Sequence, residues 1–435
     1  MRKLLLILVI LTGALGAWIF YERYFVQKTF GPSSMLAVGL LLFAFLFLLL
    51  TFLLYKTRHG LTMAKIWLAG VTMILTYLLV DLAAGFILIK PLSPTLVPDE
   101  YRHHKFVPDS FSKIEQRDFS YVQRVNNVGI RGADIEVEKP LDHYRILMLG
   151  DSFTMGKGVE DDETASFLLE GHLNQGDYPC NPKKIEVLNG GVDSYAPVLS
   201  YIQLARDLVR LEPDLVVLNL DVSDLIQEAA YRTEAVRGPE GGIVAVPGKA
   251  DKALLNERIR DWIEQNMFLT RLALFYANKL MDHKDLTVKD VVTRANDEAV
   301  AHTLAEDTTP REEQWQNIFE SIVNIRDFCA SRDVEFLLTI YPWAHQVSDA
   351  EWNPGRFTFM SRDSTPTDSN LIKVRALSEE HGIELLDLFP VFRAYRGDAP
   401  LHFKYDMHWT TTGNQVMADG LQAYLKSRYS KDWCR

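Results

Sequence analysis

Cysteine is scarce in this chain, since only Cys180, Cys329 and Cys434 occur among its 435 residues. Three cysteines exclude a disulfide-rich scaffold, and their spacing fits no cysteine-based metal motif. One disulfide can still form in an oxidising compartment. Cys180 lies in a loop with Pro and Asn and Cys434 at the C-terminus, whereas Cys329 falls in an amphipathic helical pattern. We therefore expect Cys180 and Cys434 to be the pair.

Net positive charge is also absent from the larger part of the chain, residues 93–435. The formal charge is −11, and the first 92 residues carry eight Lys or Arg against two acids, so the remainder bears −17. A strongly acidic body argues against nucleic acid as a partner. His103, His104 and His402 show no metal-ligand spacing, and we expect neither a metal nor a cofactor.

Three long apolar runs open the chain, at residues 4–20, 35–54 and 66–89. The second and third are long enough to cross a bilayer as helices. The first is shorter and follows Arg2 and Lys3, which is also typical of a signal peptide. Because it continues without a break through residue 20, we favour an uncleaved span. Residues 1–92 are thus expected to form a three-helix transmembrane anchor.

The charges flanking these runs predict the orientation of the anchor. Arg2 and Lys3 precede the first run, and Lys56, Arg58 and Lys65 lie between the second and third. By the positive-inside rule these segments face the cytoplasm, so the chain leaves the third run on the other side. We expect a multi-pass protein of the cytoplasmic (inner) membrane whose acidic domain is extracytoplasmic, on the periplasmic side.

One acid, Asp81, lies within the third apolar run. An ionisable group inside a membrane span is by default a candidate functional site. Three helices form no obvious transport path, however. We therefore favour a packing role, in which the carboxylate is hydrogen-bonded within the helix bundle or lies near the outer interface.

Beyond residue 125, strand-type and helix-type patterns alternate. Strands are predicted at residues 144–149, 185–188, 215–220, 335–341 and 383–386. Helices are predicted at residues 163–173, 200–211, 312–331, 371–381 and 413–427. Such alternation predicts right-handed βαβ units and a parallel sheet covered by helices on both faces.

Two segments fall outside this alternation. Residues 93–125 are Pro-rich and polar and are expected to be a linker packed over the domain, followed by an edge hairpin at residues 121–130. Residues 225–310 interrupt the alternation as a mostly helical insertion, with a hairpin turn at residues 237–242. An insertion of this length is a candidate lid or substrate platform.

Four polar stretches carry the candidate chemistry. They are residues 150–154 (GDSFT), 187–195 (VLNGGVDSY), 213–224 (PDLVVLNLDVSD) and 406–410 (DMHWT). The first three coincide with strand ends, where open α/β folds place their sites. A serine hydroxyl needs an adjacent base, and the base needs a group that fixes its tautomer. Ser152, His408 and Asp406 supply these three types of group.

Together and in this order, the stretches resemble the SGNH (GDSL-like) hydrolase superfamily over about residues 125–428. The resemblance implies a flavodoxin-like three-layer α/β/α domain over residues 126–435. It also implies that Ser152 is the nucleophile and that Asp406 and His408 complete a catalytic triad. The Asp-x-His-Trp form of the last stretch is similar to that of alginate O-acetyltransferases and related cell-envelope acyl-transfer proteins.

Two stretches depart from the family's pattern at the oxyanion hole. The family's glycine in the second stretch would fall at Ser194, which can still donate its backbone N–H. In the third stretch the usual asparagine is replaced by Ser223. Asn219, four residues earlier on the same strand face, is the candidate substitute. These departures from the family's pattern therefore imply a weakened oxyanion hole.

Three functions fit these observations. The first is an esterase that removes an acyl group, with acetyl expected, from a cell-envelope glycan or lipid. The second is an O-acyltransferase that passes the acyl group to an exported polysaccharide, which would need a membrane acyl-donor protein because three spans are too few to carry an acyl group across. The third is a non-catalytic glycan-binding envelope protein, which the altered third stretch favours. The esterase comes first because it requires no partner.

His345 follows another predicted strand end. It is expected either to line the pocket or to pack in the core.

Overall fold

The chain divides into two compact units, residues 1–93 with 251–289 and residues 94–250 with 290–435. In the computed structural model the described residues are 65, 67, 70–72, 74, 76–83, 96–176, 178, 180, 182–239, 241–248, 263, 267, 269–270 and 294–434. The apolar runs at residues 4–20 and 35–54 lie outside them.

In the first unit, the described residues between 65 and 83 are helical. No helix among the described residues is both long and apolar enough to cross a bilayer. Asp81 is fully buried, and its carboxylate accepts hydrogen bonds from the Leu269 N–H (2.5 Å) and from the N–H (3.1 Å) and hydroxyl (2.5 Å) of Thr270. These contacts fit a packing role, with hydrogen-bond partners at Leu269 and Thr270.

The second unit contains the regular α/β elements. Its strands are β1 Leu96–Asp99, β2 His103–Phe106, β3 Ser110–Glu115, β4 Ser120–Val125, β5 His143–Leu149, β6 Lys184–Asn189, β7 Leu215–Leu220, β8 Val236–Arg237, β9 Ile243–Ala245, β10 Glu335–Ile340 and β11 Leu385–Asp387. Its helices are α1 Ser152–Met155, α2 Ala165–Asn174, α3 Pro197–Gln203, α4 Asp224–Arg232, α5 Arg294–His302, α6 Glu312–Ala330, α7 Ala344–Val347, α8 Ser369–Glu380, α9 Phe389–Ala394 and α10 Thr411–Trp433.

The core of this unit is a five-stranded sheet of order β11-β10-β7-β5-β6. Every neighbouring pair in it is parallel. All six residues of β7 are buried, as expected for a central strand covered on both faces. The five strands and the parallel arrangement predicted from the alternation are thus confirmed.

Helices pack on both faces of the sheet because side chains of a strand alternate between faces. In β5, Ile146 and Met148 join one apolar cluster with side chains of α2 and α10. Leu147 and Leu149 join a second cluster with side chains of α6 and α8. The sheet therefore has a helical layer on each side, and its carboxyl edge is left for loops.

The segment expected to be a linker contains two hairpins instead. Strands β1 and β2 pair antiparallel, and β3 pairs with β4 from Ser110↔Val125 to Glu115↔Ser120. At residues 121–130, where an edge hairpin is expected, the chain does reverse: Val125 bridges Arg131 antiparallel and the Asn126 N–H donates to the Ile130 carbonyl at 2.9 Å. The β3–β4 hairpin precedes this reversal and is not expected from the sequence. These strands are short and polar, so alternation along the sequence is a weak signal for them. The hairpin turn expected at residues 237–242 does join β8 to β9.

A disulfide joins Cys180 to Cys434, with 5.8 Å between their Cα atoms and a sequence separation of 254. Cys329 is free and buried in α6. The expected pairing is thus the one that the structure contains. The bond ties the end of α10 to the loop before β6, where the Lys183 N–H also donates to the Trp433 carbonyl at 2.9 Å.

The disulfide predicts a thiol count and a stability change. Protein isolated and denatured without reductant should expose one alkylatable thiol, that of Cys329, and three after reduction. Replacing Cys180 and Cys434 by serine should lower the free energy of unfolding by about 2–5 kcal/mol, measured as a fall in the melting midpoint. Reduced wild-type protein is the matched control and should show the same fall. Three thiols in the unreduced protein would contradict the pairing.

Candidate active site

Strand β5 delivers Ser152 to the carboxyl edge of the sheet. Gly150 has φ +150°, and a Cβ there would lie 2.3 Å from the Thr154 hydroxyl oxygen, so only glycine fits this turn. The Asp151 carboxylate accepts the Phe153 N–H at 2.9 Å and caps α1. Ser152 is the first residue of that short helix, directly beyond the strand.

Ser152, His408 and Asp406 form one hydrogen-bonded chain. The Ser152 Oγ lies 2.7 Å from His408 Nε2, and His408 Nδ1 contacts the Asp406 carboxylate. Because a carboxylate can only accept, Nδ1 carries the hydrogen and Nε2 holds the lone pair. Nε2 can therefore take the Ser152 proton, which is the arrangement that activates a serine nucleophile.

Asp406 stays ionised in this chain. Burial acts to raise its pKa, but the charge and hydrogen bonds of His408 outweigh burial and lower the pKa to about 2. The Asp118 carboxylate accepts the N–H groups of Tyr405 (2.6 Å) and Asp406 (2.7 Å), which fixes the backbone that carries the acid. The negative charge facing the imidazole is thus retained at neutral pH.

Aromatic packing fixes the plane of the His408 ring. The Phe153 ring lies 4.6 Å from the imidazole centroid. Trp409 is buried and packs its ring 5.1 Å from Phe153 and 4.6 Å from Tyr341. The tryptophan of the Asp-x-His-Trp stretch therefore acts as a packing anchor behind the base.

The second stretch lies against the nucleophile loop. The Val192 N–H donates to the Gly150 carbonyl at 3.1 Å, and a Cβ on Gly191 would approach the Met155 nitrogen to 2.3 Å. Ser194 has φ +59°, the left-handed conformation that favours glycine. Among the described residues, neither the Ser152 nor the Ser194 N–H has an acceptor. Both amides are thus available as oxyanion donors, and the role of Ser194 stays a prediction.

The two side chains proposed as further oxyanion donors are engaged elsewhere. The Ser223 hydroxyl donates to the Asp221 carboxylate at 2.6 Å. The buried Asn219 amide donates to Thr154 at 3.1 Å, and its carbonyl accepts from Thr339 at 2.7 Å. These bonds occupy the Ser223 hydroxyl and one of the two N–H groups of the Asn219 amide, so the second Asn219 N–H is the side-chain donor left, and both oxyanion roles stay predictions.

Arg131 is a site residue that no motif indicated. Its guanidinium donates to the carbonyls of Met155 (2.9 Å), Gly156 (2.5 Å) and Val159 (2.6 Å) and to Asp161 (2.9 Å). It is buried, so these bonds to the loop after Ser152 are made in a low-dielectric setting. The only local signal in the sequence is a lone Arg-Gly pair.

Lys157 is a second site residue that no motif indicated. Its ammonium lies 3.3 Å from the Asp193 carboxylate and links the nucleophile loop to the second stretch. Burial acts to lower the pKa of Lys157, but the charges of Asp193 and Asp406 raise it above its usual value. A permanent positive charge therefore sits beside the second stretch.

Three buried acids lie in the first and third stretches: Asp151, Asp221 and Asp224. Burial raises the pKa of Asp151 and Asp224 well above the usual value, with the charge of Asp221 as the next cause. Burial likewise raises the pKa of Asp221, against hydrogen bonds from Ser223 and Trp343. The Trp343 indole donates to Asp221 at 2.9 Å. The hydrogen bonds from Ser223 and Trp343 to Asp221 therefore hold the third stretch in place.

The remaining histidines that the sequence drew attention to lie outside the triad. His345 is buried with Nε2 2.6 Å from the Thr303 hydroxyl, and burial lowers its pKa to about 3, which fits the packing alternative. His402 contacts the Glu351 carboxylate at 3.1 Å. Among the described residues no group of three or more His, Cys, Asp or Glu side chains could hold a metal ion. A cavity of about 590 Å³ lies along β6 and includes none of the triad residues.

A strand-end serine, a histidine base and an ionised aspartate on a parallel α/β sheet define the site of a serine acyl-ester enzyme. Residues 301–432 match the family described as the SGNH hydrolase-like domain of acetyltransferase AlgX. The matched region contains Asp406 and His408, whereas Ser152 lies before it. No curated protein sequence matches the chain.

Solved structures with partial similarity include three esterases or lipolytic proteins. A putative G-D-S-L lipolytic protein from Desulfitobacterium hafniense is 13% identical, with a TM-score of 0.33, covering 64% of this chain and 98% of its own. A lipase/acylhydrolase from Enterococcus faecalis is 12% identical (TM-score 0.36; 66% and 96% covered). A catalytic mutant of an acetylxylan esterase from Geobacillus stearothermophilus is 12% identical (TM-score 0.34; 65% and 93% covered).

The family match and the site together confirm the resemblance seen in the sequence. Residues 301–432 are similar to the SGNH hydrolase-like domain of AlgX, and the triad is formed by the residues that the resemblance indicated. These findings support an SGNH-type ester hydrolase or O-acyltransferase. The individual roles of Ser152, Asp406 and His408 remain predictions.

The triad predicts non-additive losses. Ser152→Ala and His408→Ala should each remove nearly as much activity as the double variant, because the residues act as a unit.

A fluorophosphonate should label the wild type and fail to label Ser152→Ala, measured by in-gel fluorescence. Ser223→Ala, which removes a nearby buried hydroxyl, is the matched control and should still be labelled. Equal labelling of Ser152→Ala would refute the assignment.

Proposed function

We propose that the chain is a serine esterase that removes acyl groups, with acetyl expected, from a cell-envelope glycan or lipid through an acyl-Ser152 intermediate. The observation that carries the proposal is the chain of contacts from Ser152 Oγ through His408 to Asp406. A nucleophile, a base and a charge that fixes the base are the groups that acyl transfer requires.

The reaction has two halves. The Ser152 Oγ attacks the ester carbonyl carbon and passes its proton to His408 Nε2, which returns that proton to the departing alcohol as its C–O bond breaks. Water then attacks the acyl-serine and gives its proton to His408. The carboxylic acid leaves, and the proton on His408 restores the Ser152 hydroxyl. The ionised Asp406 stabilises the imidazolium in both halves.

The oxyanion donors set the expected rate. The Ser152 and Ser194 N–H groups have no acceptor among the described residues, whereas Ser223 and Asn219 donate elsewhere. The loss of one oxyanion donor commonly costs about 10²–10³ in rate. We therefore expect slow hydrolysis of small soluble esters, with a native substrate compensating through contacts remote from the reacting bond.

A second function, O-acetyl transfer to a glycan hydroxyl, is favoured by the family match. The matched model describes an acetyltransferase and includes the Asp-x-His-Trp stretch. In this version the sugar hydroxyl replaces water in the second half of the reaction. Slow attack by water suits a transferase, because hydrolysis of the acyl-serine would waste the acyl group before the sugar arrives. The acyl group would come from a membrane donor protein.

The two functions predict different products. Full-length protein in detergent is incubated with a chromogenic acetyl ester, with and without oligosaccharides, and the products are followed by mass. An esterase should release acetate whether or not the oligosaccharide is present, whereas a transferase should form acetylated oligosaccharide at the expense of acetate. Ser152→Ala is the control. Ser152-independent turnover, or neither product from folded wild type, would contradict both functions.

We further propose that the protein is anchored in the cytoplasmic membrane with this domain outside the cytoplasm. Three apolar runs and the bias of Lys and Arg in the first 65 residues support this orientation. The Cys180–Cys434 disulfide also supports it, because disulfides persist in oxidising compartments such as the periplasm. An acylated envelope glycan or lipid would be accessible there.

The orientation predicts the behaviour of reporter fusions. A phosphatase that folds only outside the cytoplasm should be active when fused after Arg435, and a reporter that fluoresces only in the cytoplasm should be dark at the same position. Fusions placed after Arg58, in the segment expected to be cytoplasmic, give the matched control with the opposite pattern. Cytoplasmic fluorescence from the Arg435 fusion would contradict the proposed location.

A further inference from the structure

The turn that carries the Ser194 amide is strained. Ser194 has φ +59°, a left-handed conformation that is unfavourable for a residue other than glycine. A flip of the Asp193–Ser194 peptide unit changes the ψ of Asp193 and the φ of Ser194 together, so it would relieve this strain. The same flip would reverse the direction of the Ser194 N–H. Something must therefore hold this peptide in place if its N–H is to serve as an oxyanion donor.

A histidine pair from strand β2 contacts this peptide. His104 Nε2 lies 2.6 Å from the Asp193 carbonyl oxygen, and His104 Nδ1 lies 2.8 Å from His103 Nδ1. A carbonyl can only accept, so His104 Nε2 carries the hydrogen. The neutral ring then presents a lone pair at Nδ1, which accepts from His103 Nδ1–H. The contacts thus assign one tautomer to each ring.

Holding a carbonyl also holds the amide attached to it. The peptide unit is planar and trans, so the Asp193 C=O and the Ser194 N–H point in opposite directions. A hydrogen bond that fixes the carbonyl towards His104 therefore fixes the N–H away from it. The Val192 N–H bond to Gly150 and the close approach of Gly191 to Met155 place this turn against the nucleophile loop.

Other contacts fix the ring and the turn around it. The Tyr195 ring packs edge-on against His104 at 5.1 Å, and its hydroxyl donates to the His104 carbonyl at 2.6 Å. The Tyr231 hydroxyl donates to the Ser194 carbonyl at 2.9 Å, and the Lys157 ammonium pairs with the Asp193 carboxylate. Among these groups only His104 acts on the carbonyl of the Asp193–Ser194 peptide itself.

We propose that His104, with its tautomer set by His103, is a positioning residue that fixes the Ser194 N–H as an oxyanion donor. This inference rests on the proposed acyl-serine chemistry and names a residue outside the triad that supports it. Burial lowers the pKa of His104, with the charges of His103 and Arg102 acting in the same direction and Asp193 opposing them. The ring is therefore neutral at pH 7, as the tautomer assignment requires.

Two substitutions separate the hydrogen bond from the packing of the ring. His104→Phe keeps a ring against Tyr195 but loses the donor, whereas His104→Gln keeps an N–H donor at nearly the same place. In full-length protein, His104→Phe should slow acylation by a chromogenic acetyl ester by about tenfold to a hundredfold, less than the about 10²–10³ of a lost donor. KM should change little, since the interaction develops in the transition state. His104→Gln should recover most of the rate.

A measurement without turnover tests the same contact. In protein labelled with ¹⁵N-histidine, His104 should show its hydrogen on Nε2 and a lone pair on Nδ1. Assignment is made by loss of the signal in His104→Gln. This readout does not depend on Ser152 and applies equally to Ser152→Ala protein.

The outcomes distinguish this inference from the proposed function. Absence of Ser152-dependent labelling by a fluorophosphonate would overturn the proposed function and the positioning role with it. If the wild type is labelled, but His104→Phe melts at the wild-type temperature and acylates at the wild-type rate, only the role of His104 fails. It fails equally if the hydrogen is found on Nδ1 of His104, or if His104→Gln is as slow as His104→Phe.

Discussion

The hydrogen bond between Ser152 and His408 is the contact on which the proposed function depends. It joins residues 256 positions apart, at 2.7 Å. No local sequence preference can form such a contact, so it requires that the parallel sheet bring the end of β5 and the loop before α10 to one edge. The disulfide at the far end of α10 and the packing of Trp409 on Phe153 and Tyr341 hold the second partner in register.

The segment before β5 does more than connect. Three of its side chains each hold a different catalytic stretch: Arg131 bonds the carbonyls after Ser152, Asp118 bonds the amides of Tyr405 and Asp406, and His104 bonds the Asp193 carbonyl. Residues 96–131 thus act as a brace across the carboxyl edge of the sheet. Preorganised donors and a fixed base lower an acyl-transfer barrier, so we expect this segment to support the proposed reaction.

The sequence predicted the sheet well because its strands are continuous apolar runs. Leu215–Leu220 was placed with its observed bounds, and the other core strands differ by one or two residues at their ends. The triad could also be found, because Ser152, Asp406 and His408 lie in short motifs with a fixed order. Ser194 is predicted as an oxyanion donor through its alignment with a family glycine, and its left-handed φ is the conformation that favours glycine.

The bracing residues could not be found in the same way. Asp118 acts on Asp406 from 288 positions away and His104 on Asp193 from 89, and both lie in short polar strands or turns that show little periodicity. Asn219 and Ser223 differ from the bracing residues, because their positions in the sequence predict a role as oxyanion donors. The bond of Asn219 to Thr154 joins residues 65 positions apart and depends on packing that the sequence does not display. The bond of Ser223 to Asp221 spans two residues and is a local Asp-x-Ser contact.

The central claim is that Ser152 carries the acyl group between donor and acceptor. The most direct measurement is peptide mass mapping of the protein after an acid quench during turnover of an acetyl ester. The peptide that contains Ser152 should gain the mass of one acetyl group in the wild type and none in Ser152→Ala. Turnover by a wild type whose Ser152 peptide stays unmodified at every quench time, with the acetyl group on another residue, would contradict the claim.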